Sequence, residues 1–171
     1  MGVKFEFGID PDFYVADYKG KGFKYVYVAI GAGKTNALAI QGETERVMGA
    51  IPFLEAFNAD KNAINLGRNV AVVGGGNSAM DAARAALRVK GVENVYIVYR
   101  RTKDYMPADH EELVFAQEDG VIFKELLAPV SLKQGVLKCQ KMELGQPDTS
   151  GRRKPVAVEG AFEELPVDTV L

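Results

Sequence analysis

Val70-Ala71-Val72-Val73-Gly74-Gly75-Gly76-Asn77-Ser78-Ala79-Met80-Asp81 is the stretch from which the fold is read. Its first four residues are apolar in succession, a pattern that suits a parallel strand buried on both faces. Three glycines then give the chain room to turn sharply. From Asn77 to Lys90 the spacing changes to that of a helix, with Met80, Ala83 and Leu87 on one side and Asp81, Arg84 and Arg88 on another. The many alanines suit close approach of this helix to a sheet, and Gly91 is a stop signal.

Downstream of this turn the chain repeats the alternation. Val95-Tyr96-Ile97-Val98-Tyr99 reads as the next strand and Arg100-Arg101-Thr102-Lys103 as the loop at its end. A helix is predicted from Ala108 to Glu118, ending near Gly120, and Val121-Ile122-Phe123 opens a third strand. From Pro129 onward β-prone pieces are separated by turn residues at Gln134-Gly135, Pro147-Asp148-Thr149-Ser150-Gly151 and Glu159-Gly160, which predicts an antiparallel meander. A last strand starts near Asp168 and is still running at Leu171. Upstream, Tyr25-Val26-Tyr27-Val28-Ala29-Ile30 resembles a second buried strand leading into Gly31-Ala32-Gly33, and Gly2 to Phe7 looks like a strand without context. The class is α/β, a Rossmann-like parallel sheet with an antiparallel β-meander, and both ends suggest a piece of a larger protein.

Gly74-x-Gly76-x-x-Ala79 has the form GxGxxA. In a strand–turn–helix setting Gly74 permits the turn and Gly76 lets a pyrophosphate approach backbone N–H groups. Ala79 allows close helix–strand packing. The amides and positive dipole end of the helix beginning Asn77-Ser78 face such an anion. A glycine turn that binds nothing is the bland reading of the same hexapeptide. At the end of the second strand, roughly 20 residues beyond the glycines, NAD and FAD sites carry an acidic residue. This chain places Arg100 and Arg101 there. A guanidinium pairs with the extra phosphate of NADPH where a carboxylate repels it. One charged hydrogen bond is worth about 1.5–3 kcal/mol, roughly ten- to hundredfold in affinity. A solvated basic loop is the alternative.

Other polar residues carry less. Asp81 pairs with Arg84 as readily as with a ligand, and Lys103 either assists a phosphate or faces water. His110, Glu111 and Glu112 suit a helix start. Cys139 reads as a small packed residue. One cysteine and one histidine in 171 residues cannot build a CxxC pair, an iron–sulfur site or a zinc site from their own side chains. No catalytic constellation is evident, so no catalytic or metal-ligating residue is assigned. A net charge of −2 and a pI of about 5.5 give no basic field for nucleic acid. No apolar run reaches the length of a membrane span, and no signal peptide opens the chain. The cytoplasm is the expected compartment.

The ordered motifs around residues 72–81, Ile97-Val98-Tyr99-Arg100-Arg101, Met106-Pro107-Ala108, Met142-Glu143-Leu144-Gly145-Gln146-Pro147-Asp148, Ser150-Gly151-Arg152-Arg153 and Asp168-Thr169-Val170-Leu171 resemble the NADPH domain of glutamate synthase small-subunit-like flavoproteins. Dihydropyrimidine dehydrogenase contains a related module. Leu87-Arg88-Val89-Lys90-Gly91-Val92-Glu93 and Tyr105-Met106-Pro107-Ala108-Asp109 look most like the branch named for selenate reduction. The resemblance implies an NADPH domain inserted into a discontinuous FAD domain, with hydride passing from NADPH to FAD and electrons leaving through iron–sulfur clusters carried elsewhere. It implies that residues 1–45 are a remnant of the FAD-binding domain with its linker, and that residues 46–171 are the NADPH-binding domain. Ala29-Ile30-Gly31-Ala32 corresponds to the family's ATG motif at that boundary, with Ile30 in place of threonine. The expected cofactor-binding set is Gly74, Gly75, Gly76, Asn77, Ser78, Ala79, Arg100 and Arg101, with Gly31 and Ala32. FAD is expected in the parent protein and not to be retained by this piece, which alone is expected to be inactive. The partners implied are the parent's FAD-binding and iron–sulfur domains or subunits. A non-catalytic nucleotide sensor or assembly module is the alternative.

Overall fold

A computed structural model describes residues 2–29, 38–149 and 151–171. The chain divides into two compact units, Met1–Gly33 and Lys34–Leu171.

The first unit holds one short helix, α1 (Val15–Gly20), whose first turn is tied by the N–H of Tyr14 donating to Asp17 Oδ2 at 3.1 Å. Tyr18 stacks edge-on between Phe13 and Phe23, at 5.7 and 6.1 Å. None of its described residues is buried. The strands expected at residues 2–7 and 25–29 are absent, and Tyr25 and Tyr27 are more than 90% exposed. Ile30 lies outside the described residues. The physical reason is that β structure is a pairing. Alternating or continuous apolar side chains make a strand only beside another strand and over a surface to cover, and neither is present among the described residues of this unit.

The second unit is built around β2 (Asn69–Val73). Val70, Ala71 and Val72 are all essentially fully buried, as a run without polar alternation requires. On one side β2 pairs parallel with β3 (Asn94–Tyr99), Val70 opposite Val95 and Val73 opposite Val98; β3 pairs in turn with β4 (Ile122–Glu125). On the other side β2 pairs parallel with β8 (Thr169–Val170), giving the order β4-β3-β2-β8. The start of β2 is pinned by Asp168, whose Oδ2 accepts the N–H groups of Arg68 and Asn69 at 2.8 and 2.9 Å. Gly67, at φ +76°, leaves room for that carboxylate, since a Cβ there would stand 2.4 Å from Asp168 Cβ.

Helices cover one face of this sheet. After β2 the chain enters α3 (Asn77–Ala86), whose buried Ala79, Met80, Ala82, Ala83, Ala85 and Ala86 bring its axis close to the strands. The helix ends four residues before the expected Lys90, as Arg88 and Val89 donate to Ala85 and Ala86 in a tightened last turn. Beside it lies α2 (Ala50–Asp60), an element the sequence reading did not assign. Its buried Phe53 and partly buried Leu54 and Phe57 are the helical-spacing signal, interrupted to the eye by Pro52 in the first turn, where a missing N–H costs nothing. The third helix of this layer, α4 (His110–Glu118), follows β3.

The opposite face is covered by a meander of β5 (Leu127–Lys133), β6 (Val136–Pro147) and β7 (Arg153–Pro166), with the two-residue β1 (Gln41–Gly42) parallel to β5 at its edge. Leu127, Leu132, Leu137, Cys139, Leu165 and Val167 pack with Ala71, Val98 and Val170 into a second core. Ile40 is buried in the same core with Leu38 packed against it, so the end of the stretch read as linker lies on the second unit. Gln134-Gly135 turns β5 into β6 with both φ values positive, 51° and 72°, the pattern of a type I′ hairpin. Glu159-Gly160, expected to end a strand, instead lies in a bulge within β7. Gln140 Nε2 donates to the carbonyls of Val158 and Ala161 at 2.7 Å and so satisfies the backbone that the bulge leaves unpaired.

Helices α3 and α4 are also laced by charge. Arg84 Nε and Arg88 Nη2 reach Asp119 Oδ2 at 2.8 and 3.0 Å, and Arg84 Nη1 reaches Glu112 at 3.2 Å. Arg84 therefore pairs across helices and not with Asp81. Hydrogen bonds from Arg84 and then Arg88 hold the Asp119 carboxyl below the usual aspartate range. A depressed folded-state value stabilises the fold above the unfolded value, and the contribution is lost as pH falls through the folded one. Asp119→Asn is expected to lower the melting temperature at neutral pH, with the gap to the parent chain closing as pH drops below the ordinary aspartate range. Calorimetric melts across that range measure it.

Candidate functional site: the glycine turn at the carboxyl end of β2

In an open parallel sheet, ligands bind beyond the carboxyl ends of the strands, where the strand order reverses. Here β2 leads through α3 to β3 on one side, while β8 flanks it on the other. The carboxyl end of β2 is therefore the switch point, and residues 74–76 lie there. Gly74 N–H donates to Val98 O at 3.2 Å, so the turn begins in register with the end of β3. Gly74, at φ +151°, would bring a Cβ to 3.3 Å from the Ala79 Cβ. The two small residues thus meet each other where the helix comes nearest the strand.

Gly75 is tightly enclosed. A Cβ there would fall 2.8 Å from the Tyr99 ring and 2.9 Å from Met106 Cγ. Tyr99 is itself fixed by its hydroxyl donating to Tyr105 O at 2.9 Å, and Gly75 O accepts the Ala108 N–H at 3.0 Å. Asn77 and Asp109 close the clamp. Asn77 Nδ2 donates to Asp109 Oδ2 at 2.8 Å, and Asp109 N–H donates to Asn77 Oδ1 at 2.9 Å. The Asn77 side chain is thus engaged with the start of α4, which leaves its backbone N–H as the group to offer an anion.

Gly76 is the open side. It is the N-cap of α3, and a Cβ built on it meets nothing within 4 Å. Its carbonyl accepts the N–H groups of Ala79 and Met80. Helix geometry leaves the N–H groups of Asn77 and Ser78 without an acceptor of their own, and both residues are exposed. An outward-facing cluster of amides at a positive helix end suits an anion such as a pyrophosphate.

The two arginines differ in surroundings. Arg100, directly after β3, is exposed, and among the described residues no ion pair involves it. Arg101 is buried, with Nε donating to Arg153 O at 2.7 Å and Nη2 to Asp148 Oδ2 at 3.4 Å. Lys103 approaches Glu125 only at 4.0 Å. Gly31 and Ala32 lie outside the described residues. A cleft of about 350 Å³ is present elsewhere, lined by Glu45, Arg46, Met48, Asn65, Leu66, Gly67, Asp168 and Thr169. It sits at the amino ends of β2 and β8, the opposite end of the sheet from the one where nucleotides bind in such folds. Cys139 is fully buried and its thiol is pushed up to about 12, mainly by burial with a smaller push from Glu163; at neutral pH it is a packed thiol.

Comparison with known proteins gives the family and the fold. A family model described as pyridine nucleotide-disulphide oxidoreductase matches residues 7–124. YgfK of Escherichia coli (strain K12), by name an oxidoreductase, is 47% identical over 156 residues, covering 91% of this chain and 15% of that protein. The NADPH glutamate synthase small chain of the same organism is 29% identical over 194 residues, covering 100% of this chain and 40% of that one. Thioredoxin reductase of T. acidophilum has a similar fold, with a TM-score of 0.55 at 18% identity over 81% of this chain and 40% of its own. The chain thus spans well under half the length of each.

Gly75→Ala and Gly76→Ala should separate the closed and open sides of the turn. The first is expected to lower stability by about 1–3 kcal/mol, the cost of overpacking against a fixed ring, and the second by less than about 0.5 kcal/mol, as for a change into open space. Urea unfolding measures both.

Proposed function

The chain belongs to the pyridine nucleotide-disulphide oxidoreductase family, and from that premise we propose that it is the NADPH-binding portion of a larger flavin-dependent oxidoreductase. One observation carries the reading: at the switch point of the sheet, the N-terminal amides of α3 face outward past a glycine whose side-chain position is empty. NADPH, when bound, supplies hydride for transfer to FAD, with iron–sulfur clusters of the parent protein as the onward acceptors. This chain's part is to hold and orient.

In this reading the backbone N–H groups of residues 76–78 hold the pyrophosphate. Gly74 and Ala79 set the helix at the depth that brings those amides to the surface. Gly75, wedged on Tyr99 and Met106, and the Asn77–Asp109 pair keep the turn from moving when the anion binds. Arg100, at the end of β3, meets the phosphate on the adenosine ribose. The name of one relative, an NADPH glutamate synthase small chain, supports the same choice of cofactor. No side chain acts as acid or base, because the cofactor carries the redox chemistry.

Residues 1–45 we assign to the FAD-binding domain and its linker, with Gly31 and Ala32 at the boundary. The exposed aromatic run around Tyr25 and Tyr27 supports this, since it has the composition of a strand whose partners belong to another part of the protein. The cytoplasm remains the proposed location; among the described residues no helix is long and apolar enough to cross a membrane.

The chain is expected to bind NADPH more tightly than NADH by about tenfold or more, and Arg100→Ala to remove most of that margin. Gly76→Val is expected to abolish binding of both dinucleotides while the melting temperature holds. Calorimetry decides each, and equal affinities for the two cofactors would contradict the assignment. Without a flavin domain the purified chain should reduce no dye at the expense of NADPH; sustained turnover would count against a holding role.

A further inference from the structure

Arg101 is the one charged or polar residue that is buried among the described residues. Besides the bonds its guanidinium makes to Arg153 O and Asp148, its carbonyl accepts the Leu126 N–H at 3.2 Å. Arg153 in turn donates from Nε and Nη2 to the carbonyls of Gly145 and Leu144, at 2.8 and 2.7 Å. Three separate segments are joined in this way: the loop after β3, the junction before β5, and the end of the β6–β7 hairpin.

The hairpin needs such an anchor. Pairing between β5 and β6 ends at Leu127 opposite Lys141, yet β6 runs on to Pro147. Beyond Lys141, β6 also reaches this region through Met142 N–H donating to Leu126 O at 2.8 Å. The overhang therefore rests on the loop that also carries Arg100. Turning this buried guanidinium toward a ligand would break its bonds to the Arg153 carbonyl and the Asp148 carboxylate, which offset the desolvation of its charge where it lies.

We propose that Arg101 is a positioning residue and not a phosphate ligand: it docks the β6–β7 overhang onto the loop after β3, and through that contact it fixes Arg100 for recognition of the adenosine-side phosphate. Cofactor selectivity then depends on Asp148, a residue of the hairpin end far from the glycine turn in sequence. This rests on the NADPH reading above.

The test is calorimetric titration of the full chain with NADPH and with NADH, for the parent sequence, Arg101→Lys, Asp148→Ala and the double variant. Lysine keeps the charge but has no planar fork to span both acceptors. The latch requires that each single variant lower the NADPH-over-NADH ratio by about tenfold, that NADH affinity stay within about twofold, and that the double variant be no worse than either single one. Retention of the ratio in Asp148→Ala, with loss only at residue 101, makes Arg101 a direct ligand and overturns the proposal, as does an unchanged ratio in both. If Asp148→Ala loses NADH binding and its melting transition, Asp148→Asn replaces it, because an amide oxygen still accepts the Arg152 N–H that Asp148 Oδ1 holds while the charge facing Arg101 is gone. A parent chain with no preference for NADPH sinks the Arg100 reading first, before any variant is compared.

Discussion

The backbone between β2 and α3 is confined on two sides and open on the third. Gly74 meets Ala79, Gly75 meets Tyr99 and Met106, and only the side at Gly76 faces free space. Any side chain at the first two positions pushes against the strand–helix contact or an aromatic ring, and any at the third covers the helix end. This one constraint sets the depth of α3, the run of buried alanines along it, and the outward direction of its unsatisfied amides. The clamp supplied by Asn77, Asp109 and Ala108 makes the same turn rigid before anything binds, which lowers the ordering cost of holding an anion there.

The turn is effective because the sheet beneath it is held from both faces. Helices α2, α3 and α4 bury one side of β2 and β3, and the meander buries the other. A strand enclosed in this way cannot slip in register without moving apolar side chains of both layers. The ends of β2 and β3 are therefore fixed relative to each other, with Val73 opposite Val98. The glycine amides and the arginine loop inherit their spacing from that pairing. The family match and the fold likeness to thioredoxin reductase fall on this same region, and the chain spans only part of the length of the relatives it resembles.

What the sequence made legible is what local chemistry decides. The β2–turn–α3 unit, β3, α4 and the meander are marked by apolar runs and by glycines at their ends. The Gln134-Gly135 turn was readable for the same reason. What it hid depends on partners distant in the chain. Residues 25–29 have the composition of a buried strand but, among the described residues, no neighbour with which to be one. Glu159-Gly160 looks like a turn until Gln140 is seen to fill the bulge. Arg100 and Arg101 are adjacent and chemically identical, and only the register of the β6–β7 hairpin separates them into an exposed and a buried residue. Helix α2 was the opposite case, a local signal at Phe53, Leu54 and Phe57 obscured by a proline that its first turn tolerates.

The central claim is that the amides at the α3 end, not the cleft beside Asp168, receive the dinucleotide. Backbone amide NMR of the chain during titration with NADPH reads this residue by residue. The largest shifts are expected at the N–H groups of Gly76, Asn77 and Ser78, with a second set at Arg100. Shifts gathered at Arg46, Gly67 and Asp168 with the glycine turn silent would contradict the account.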